Sequence, residues 1–216
     1  MSYKTLPDLE TEIVERGFDY IYIDDNGLKC SKSELMSVDI KNLISTSRTS
    51  DFKPEMFFPN KKHSMFNLYI IKDGSIIGYS YGGFVEQHQI EHMSYVEISN
   101  SFRGQRLCKL MMQLLLLCRN YSKGKKCSFE LYNDGKTISC KCYFDAFTEC
   151  GYSTYSYHPL SMISNKVIMT RDECDTNYEI NMLFIPISQV LTGGYRKTNK
   201  KRKTNKKNNY VKTRIN

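Results

Sequence analysis

The chain has 216 residues, 40% of them apolar, with 31 basic and 23 acidic side chains and a net charge of +8. That length allows one compact domain plus an extension, and the apolar share is enough for a core. No run of eighteen apolar residues occurs, so no helical membrane span is expected, and the acid-bearing start MSYKTLPDLETE lacks the apolar centre of a secretion signal.

The charge is unevenly spread. Ten of the 31 basic residues lie between Tyr195 and Asn216, where there is no acid, so 21 remain against 23 acids in residues 1–194. The expected organisation is one folded domain with a separate tail. N-terminal helices and a hairpin over 1–65 join a core over 66–192, and 193–216 form a disordered basic tail. Eight cysteines without regular spacing suit a reducing, intracellular and cytoplasmic setting better than a disulfide framework. Cys140 and Cys142 have no second pair at zinc-ligand spacing, and His63, His88, His92 and His158 lie mostly apart, so no structural metal is expected.

In chain order, Leu9, Ile13 and Val14 form one face of a short helix with Asp8 as its cap. Phe18 to Ile23 alternates as a strand, and Asp25-Asn26-Gly27 turns it. Ser31 and Glu34 have capping-box spacing for a second helix carrying Leu35, Met36, Ile40, Leu43 and Ile44. Residues 45–62 are polar, contain Pro54 and Pro59, and read as a loop bordering a site. Phe66–Ile71 and Ile76–Phe84 make a hairpin around Lys72-Asp73-Gly74-Ser75. A polar connection from Val85 to Glu91 leads to a strand ending at Ser99.

The stretch from Tyr95 to Asn120 is the most informative. Val96 and Ile98 alternate with Glu97 and Ser99, while Leu107, Leu110, Met111, Leu114, Leu115 and Cys118 recur at helical spacing. Between them, Asn100 to Arg106 opens the helix, where free N–H groups and the positive end of the macrodipole favour an anion. Then come a break at Gly124-Lys125-Lys126 and a strand from Cys127 to Tyr132, closed by Asn133-Asp134-Gly135. A helix from Ser139 to Cys150 has Tyr143, Phe144, Phe147 and Cys150 on its apolar side and Gly151 as its stop. Strands follow at Tyr152–Tyr157, Lys166–Thr170 and Tyr178–Ile185, before Leu191-Thr192-Gly193-Gly194 ends the folded part. This order predicts an α/β fold with a mixed sheet and helices on both faces.

Ile98, the entry Phe102-Arg103-Gly104, the loop Gln105-Arg106-Leu107-Cys108 and the ending Phe147-Thr148-Glu149-Cys150-Gly151-Tyr152 resemble the GNAT superfamily of N-acetyltransferases. Lys166-Val167-Ile168-Met169 resembles that family's final core strand, and the pattern covers residues 66–171. Two positions depart from it. Arg106 stands where the family's loop has its first glycine, with Cys108 at the small-residue position. Phe147 stands where many members carry a tyrosine that protonates the departing thiolate, and Tyr143, one turn earlier, is a substitute candidate.

The resemblance implies a GNAT-like mixed sheet with splayed central parallel strands, acetyl-CoA as co-substrate, and transfer of an acetyl group to a primary amine. That amine would belong to a protein lysine, an N-terminus or a polyamine-like small molecule. It places the pyrophosphate on the backbone of Gln105 to Lys109, including Arg106, Leu107 and Cys108, with Arg103 and Gly104 opening the loop. The pantetheine arm would lie beside Val96 and Ile98. Attack requires an unprotonated amine, and His92, Glu91 and Glu97 are the nearby bases. Alternation places His92 with Ser94, Val96 and Ile98 on one face, and Glu91 with Glu97 on the other. Glu86, Glu91 and Asp51 are candidates to line an acidic acceptor groove. The departures at Phe147 and Arg106 equally suit a catalytically inactive acyl-CoA-binding or interaction domain.

The tail repeats Arg196-Lys197-Thr198-Asn199-Lys200-Lys201 as Arg202-Lys203-Thr204-Asn205-Lys206-Lys207. Such a segment binds nucleic acid non-specifically, with strong salt dependence. A diglycine followed by this tract resembles the C-terminal tails of large DNA virus proteins, which admits a third reading: a viral structural protein with a nucleic-acid-binding tail.

Overall fold

A computed structural model of the chain describes residues 3–47, 51–56, 65–85, 90–123, 128–134, 136–157, 166–175 and 179–188. The basic tail, the break at Gly124-Lys125-Lys126, Glu86, and His63, His88 and His158 lie outside the described residues.

Helix α1 (Leu6–Glu15) begins at Thr5 rather than at Asp8, because Asp8 serves as the reciprocal partner three residues into a capping box. The Thr5 N–H donates to the Asp8 carboxylate at 2.8 Å, and the Asp8 N–H donates back to the Thr5 hydroxyl. It ends at Gly17, whose φ of +73° only glycine adopts cheaply. There the Gly17 N–H reaches the Val14 carbonyl and the Phe18 N–H reaches the Ile13 carbonyl, a Schellman stop that turns the chain into β1. Strands β1 (Asp19–Asp24) and β2 (Gly27–Cys30) are joined through the Asp25-Asn26 turn.

The capping box expected at Ser31 and Glu34 does not form. The Ser31 hydroxyl is held against β1, accepting from the Tyr20 N–H at 3.1 Å and donating to Asp19 at 3.3 Å. The predicted single helix is therefore split into a 3-10 turn over Ser33–Ser37 and helix α2 (Ile40–Thr46), which Asp39 caps. Strands β3 (Met65–Lys72) and β4 (Ser75–Val85) form the expected hairpin, followed by β5 (Ile90–Ile98) and helix α3 (Leu107–Lys123). Strand β6 (Ser128–Asp134), helix α4 (Thr137–Glu149), β7 (Tyr152–Tyr157), the short β8 (Val167–Ile168), a 3-10 turn over Arg171–Asp175 and β9 (Glu179–Pro186) complete the fold.

The nine strands make one mixed sheet in the order β2-β1-β3-β4-β5-β6-β9-β7-β8. Among the described residues only β5 and β6 run parallel, with α3 as their crossover, and every other pairing is antiparallel. The expected α/β class, with a mixed sheet between helices, is what the chain forms. Helices α1, α3 and α4 bury Leu9, Ile13, Leu110, Met111, Leu114, Ala146 and Phe147 against one face. On the opposite face, Ile44 of α2 and Phe52 pack on Ile21, Tyr69, Ile71 and Tyr79. Among the described residues no helix is long and apolar enough to cross a membrane.

Arg119 ties the helix face together. Its side chain is 1% exposed and pairs with the buried carboxylates of Glu91 on β5 and Asp24 at the end of β1, the latter at 3.1 Å. Elsewhere, a disulfide joins Cys140 of α4 to Cys174 of the 3-10 turn over Arg171–Asp175, 34 residues apart. Irregular cysteine spacing does not reveal this pair, because the strand topology that brings the two together is not a local property.

Candidate active site

The site is built where β5 and β6 separate. The two strands pair only at Ile90–Met93 against Ser128–Leu131. Beyond this, β5 continues alongside β4 while β6 continues alongside β9. Residues 94–98 of β5 thus face a wedge on their β6 side.

A β-bulge sets what faces each way. The β4–β5 register runs from Met93 opposite Gly82 to Tyr95 opposite Tyr81, so Ser94 is an extra residue. The bulge reverses the alternation past Ser94 and corrects the face assignment made by simple period-two counting. Glu91, Met93, Val96 and Ile98 point to the helix face, where Met93, Val96 and Ile98 join the core beneath α3. His92, Tyr95 and Glu97 share the other face. There Tyr95 stacks on Tyr79 and Tyr81 with ring centroids 5.5 and 5.7 Å apart, and donates to Glu97 at 3.3 Å.

The candidate bases consequently separate. Glu91 is fully buried and bound to Arg119, which makes it part of an internal ion-pair cluster rather than a base open to a substrate. It also cannot line an acceptor groove. His92 is half-exposed, and its Nδ1 lies 3.2 Å from Glu130 Oε2 across the parallel pair. The hydrogen bond to Glu130, and secondly that carboxylate's charge, hold the imidazole pKa above its ordinary 6.5 against the opposing effect of burial. Glu130 escapes sequence reading because only the parallel register places it beside His92.

At the head of the wedge, a one-turn 3-10 segment (Asn100–Phe102) leads into the loop before α3. Gly104 has φ +82°, and a Cβ built there would meet nothing within 4 Å. Arg106 has φ +56° and is exposed. The backbone therefore adopts at Arg106 the left-handed conformation that glycine favours, and the side chain is turned out to solvent. Leu107, Cys108 and Lys109 follow in the first helical turn, where N–H groups have no intrahelical acceptor. The Leu107 side chain is buried and Lys109 pairs with Glu149, so these residues offer backbone rather than side-chain contacts. Arg103 Nε donates to the Ile98 carbonyl at 3.2 Å, fastening the loop to the strand end. An open glycine, an exposed αL residue and a helix start beside the wedge fit a pyrophosphate with an extended arm.

On α4, Phe147 is fully buried and stacked on Phe184 at 3.6 Å, with Tyr152 edge-on. Tyr143 is buried in the same core. Cys142 shares a hydrogen bond with Cys108, and this bond together with burial keeps the Cys142 thiol well above its usual range. Among the described residues no cluster of histidine, cysteine and carboxylates could hold a metal ion.

No protein-family model and no curated protein sequence matches the chain. Similar solved structures include acetyltransferases. A chimera of spermidine N-acetyltransferase SpeG from Vibrio cholerae and hSSAT has a TM-score of 0.40 at 11% identity, over 59% of this chain and 69% of that one. Spermidine N-acetyltransferase from Vibrio cholerae in complex with CoA and spermine gives 0.39 at 12% identity, over 59% and 68%. A putative acetyltransferase of the GNAT family from Desulfovibrio desulfuricans gives 0.38 at 8% identity, over 57% and 69%.

Proposed function

We propose that the protein is an acetyl-CoA-dependent N-acetyltransferase of GNAT type acting on a primary amine. The observation that carries this reading is the wedge between β5 and β6, opening directly onto the glycine-containing loop and first turn of α3. Acetyl-CoA would supply a thioester carbonyl activated for attack by an amine. The N–H groups from Gln105 to Lys109 would bind its pyrophosphate, and the β6-side edge of Val96 and Ile98 would bind its pantetheine arm as an added strand.

His92 stands on the opposite face of the sheet, beside the point where the strands part. It accepts the proton of the incoming ammonium, and Glu130 orients the ring and steadies the charge it gains. Tyr95 and Glu97 border the same face, where an aromatic surface and a carboxylate attract a cation. A protein lysine, an N-terminus or a polyamine each satisfies that chemistry. Phe147 has no proton to donate, so the thiolate would be protonated by water. A second reading, an acyl-CoA-binding domain without turnover, is favoured by that same residue.

Calorimetric titration with CoA, followed by thioester turnover against a panel of amines, tests both. Binding with turnover supports the enzyme, binding without turnover supports the second reading, and no binding ends both. In an active protein, His92→Ala should lower turnover by about a hundredfold or more while leaving CoA affinity unchanged. For residues 195–216 the proposal is separate: non-specific, salt-dependent binding of nucleic acid, read from loss of DNA retention on their deletion.

A further inference from the structure

We propose that Arg16, at the end of α1, is a positioning residue of the anion cradle at the start of α3. The inference rests on the function proposed above and extends it to a segment that the family resemblance does not cover. The Schellman stop at Gly17 reverses the chain so that Arg16 leaves α1 toward the α3 loop. There its Nη2 donates to the carbonyl of Gln105. The guanidinium is steadied from two sides: Glu12 pairs with Nη1 at 3.4 Å, and the Phe18 ring lies 5.7 Å from the guanidinium carbon. Phe18 in turn meets Phe102 edge-on at 6.4 Å, so the same contacts seat the strand-to-loop corner.

The consequence follows from peptide planarity. The Gln105–Arg106 peptide is trans, so the carbonyl of Gln105 and the N–H of Arg106 point in opposite directions across one rigid unit. Holding the carbonyl on the α1 side turns the Arg106 N–H away from α1. The same bond accounts for the left-handed φ of +56° at a residue that is not glycine. Arg16 thus holds Arg106 in the conformation that a glycine would reach unaided, and Arg16 acts through the backbone without touching the phosphates.

The test compares ligands that do and do not carry the pyrophosphate. Arg16→Met keeps the packing against Phe18 and removes the donor. By calorimetry, CoA and ADP should each bind about tenfold more weakly than to the wild type, and S-acetylpantetheine equally well. The salt dependence of CoA affinity should keep its slope, because no phosphate contact is lost. Unchanged CoA affinity overturns the inference while leaving the proposed function standing. Equal weakening of all three ligands means a general structural role and also overturns it, as does a flattened salt slope, which signals direct phosphate contact. A wild type that takes up no CoA removes the function proposed and the inference together.

Discussion

His92 and Glu130 form the pair whose chemistry is most open to measurement. With its pKa raised by the Glu130 hydrogen bond, the imidazole stays protonated to higher pH than a free histidine. Two signs follow. The pair contributes stability that is fully present below the unfolded value near 6.5 and lost as pH rises through the folded value. The basic form that the proposed role of His92 requires gains population in that same window, so activity should rise with pH across it. Glu130→Gln removes the charge and should move both the imidazole titration followed by NMR and the ascending limb of the rate profile to lower pH. A titration curve that stays in place would show that Glu130 does not set the value. Solvent reaches the histidine, 43% of whose side chain is exposed, so the effect on overall stability should be small.

At the scale of elements, α3 is positioned by both its ends. Its first turn is fixed by Arg16 and by Lys109 with Glu149, and its last turns are fixed by Arg119 with Glu91 and Asp24. Tyr22 donates to the same Asp24 at 3.2 Å, so two strands, β1 and β5, converge on the guanidinium of α3. Removing it strands carboxylates in the interior, which costs more than the pair itself contributes. Arg119→Met should lower unfolding free energy by about 3–5 kcal/mol in denaturant titration, although its volume and apolar stem are nearly conserved. A loss below about 1 kcal/mol would mean that water enters and resolvates the cluster.

For the whole molecule, the Cys140–Cys174 disulfide closes a long loop from α4 toward the last strands. Cross-linking at that separation limits the unfolded chain and is worth about 3–4 kcal/mol in the loop-entropy picture. Reductant, or Cys174→Ser, should therefore lower the melting temperature. An unchanged melting temperature would show that the two thiols contribute as packed side chains alone.

Much of this was legible in residues whose cause is local. The hairpin at Asp73-Gly74, the stop at Gly151 and the apolar face of α3 follow from turn chemistry and from a helical period, which neighbouring residues carry by themselves. The strand, loop and helix around Asn100 to Arg106 were also readable, from the change in apolar period between β5 and α3. Other features depend on what lies across the fold. One inserted residue, Ser94, reverses every side chain after it and separates His92 from Val96 and Ile98, and no composition signal marks it. Glu130, Arg16 and Arg119 acquire their partners from positions 38, 89 and 95 residues away. The sequence by itself determined the element order, the helix core and the charge of the tail, because these rest on periodicity and composition. Only the tertiary structure decided which side chains share the face of His92 and what holds the carbonyl of Gln105, since strand register and long-range pairing bring those groups together.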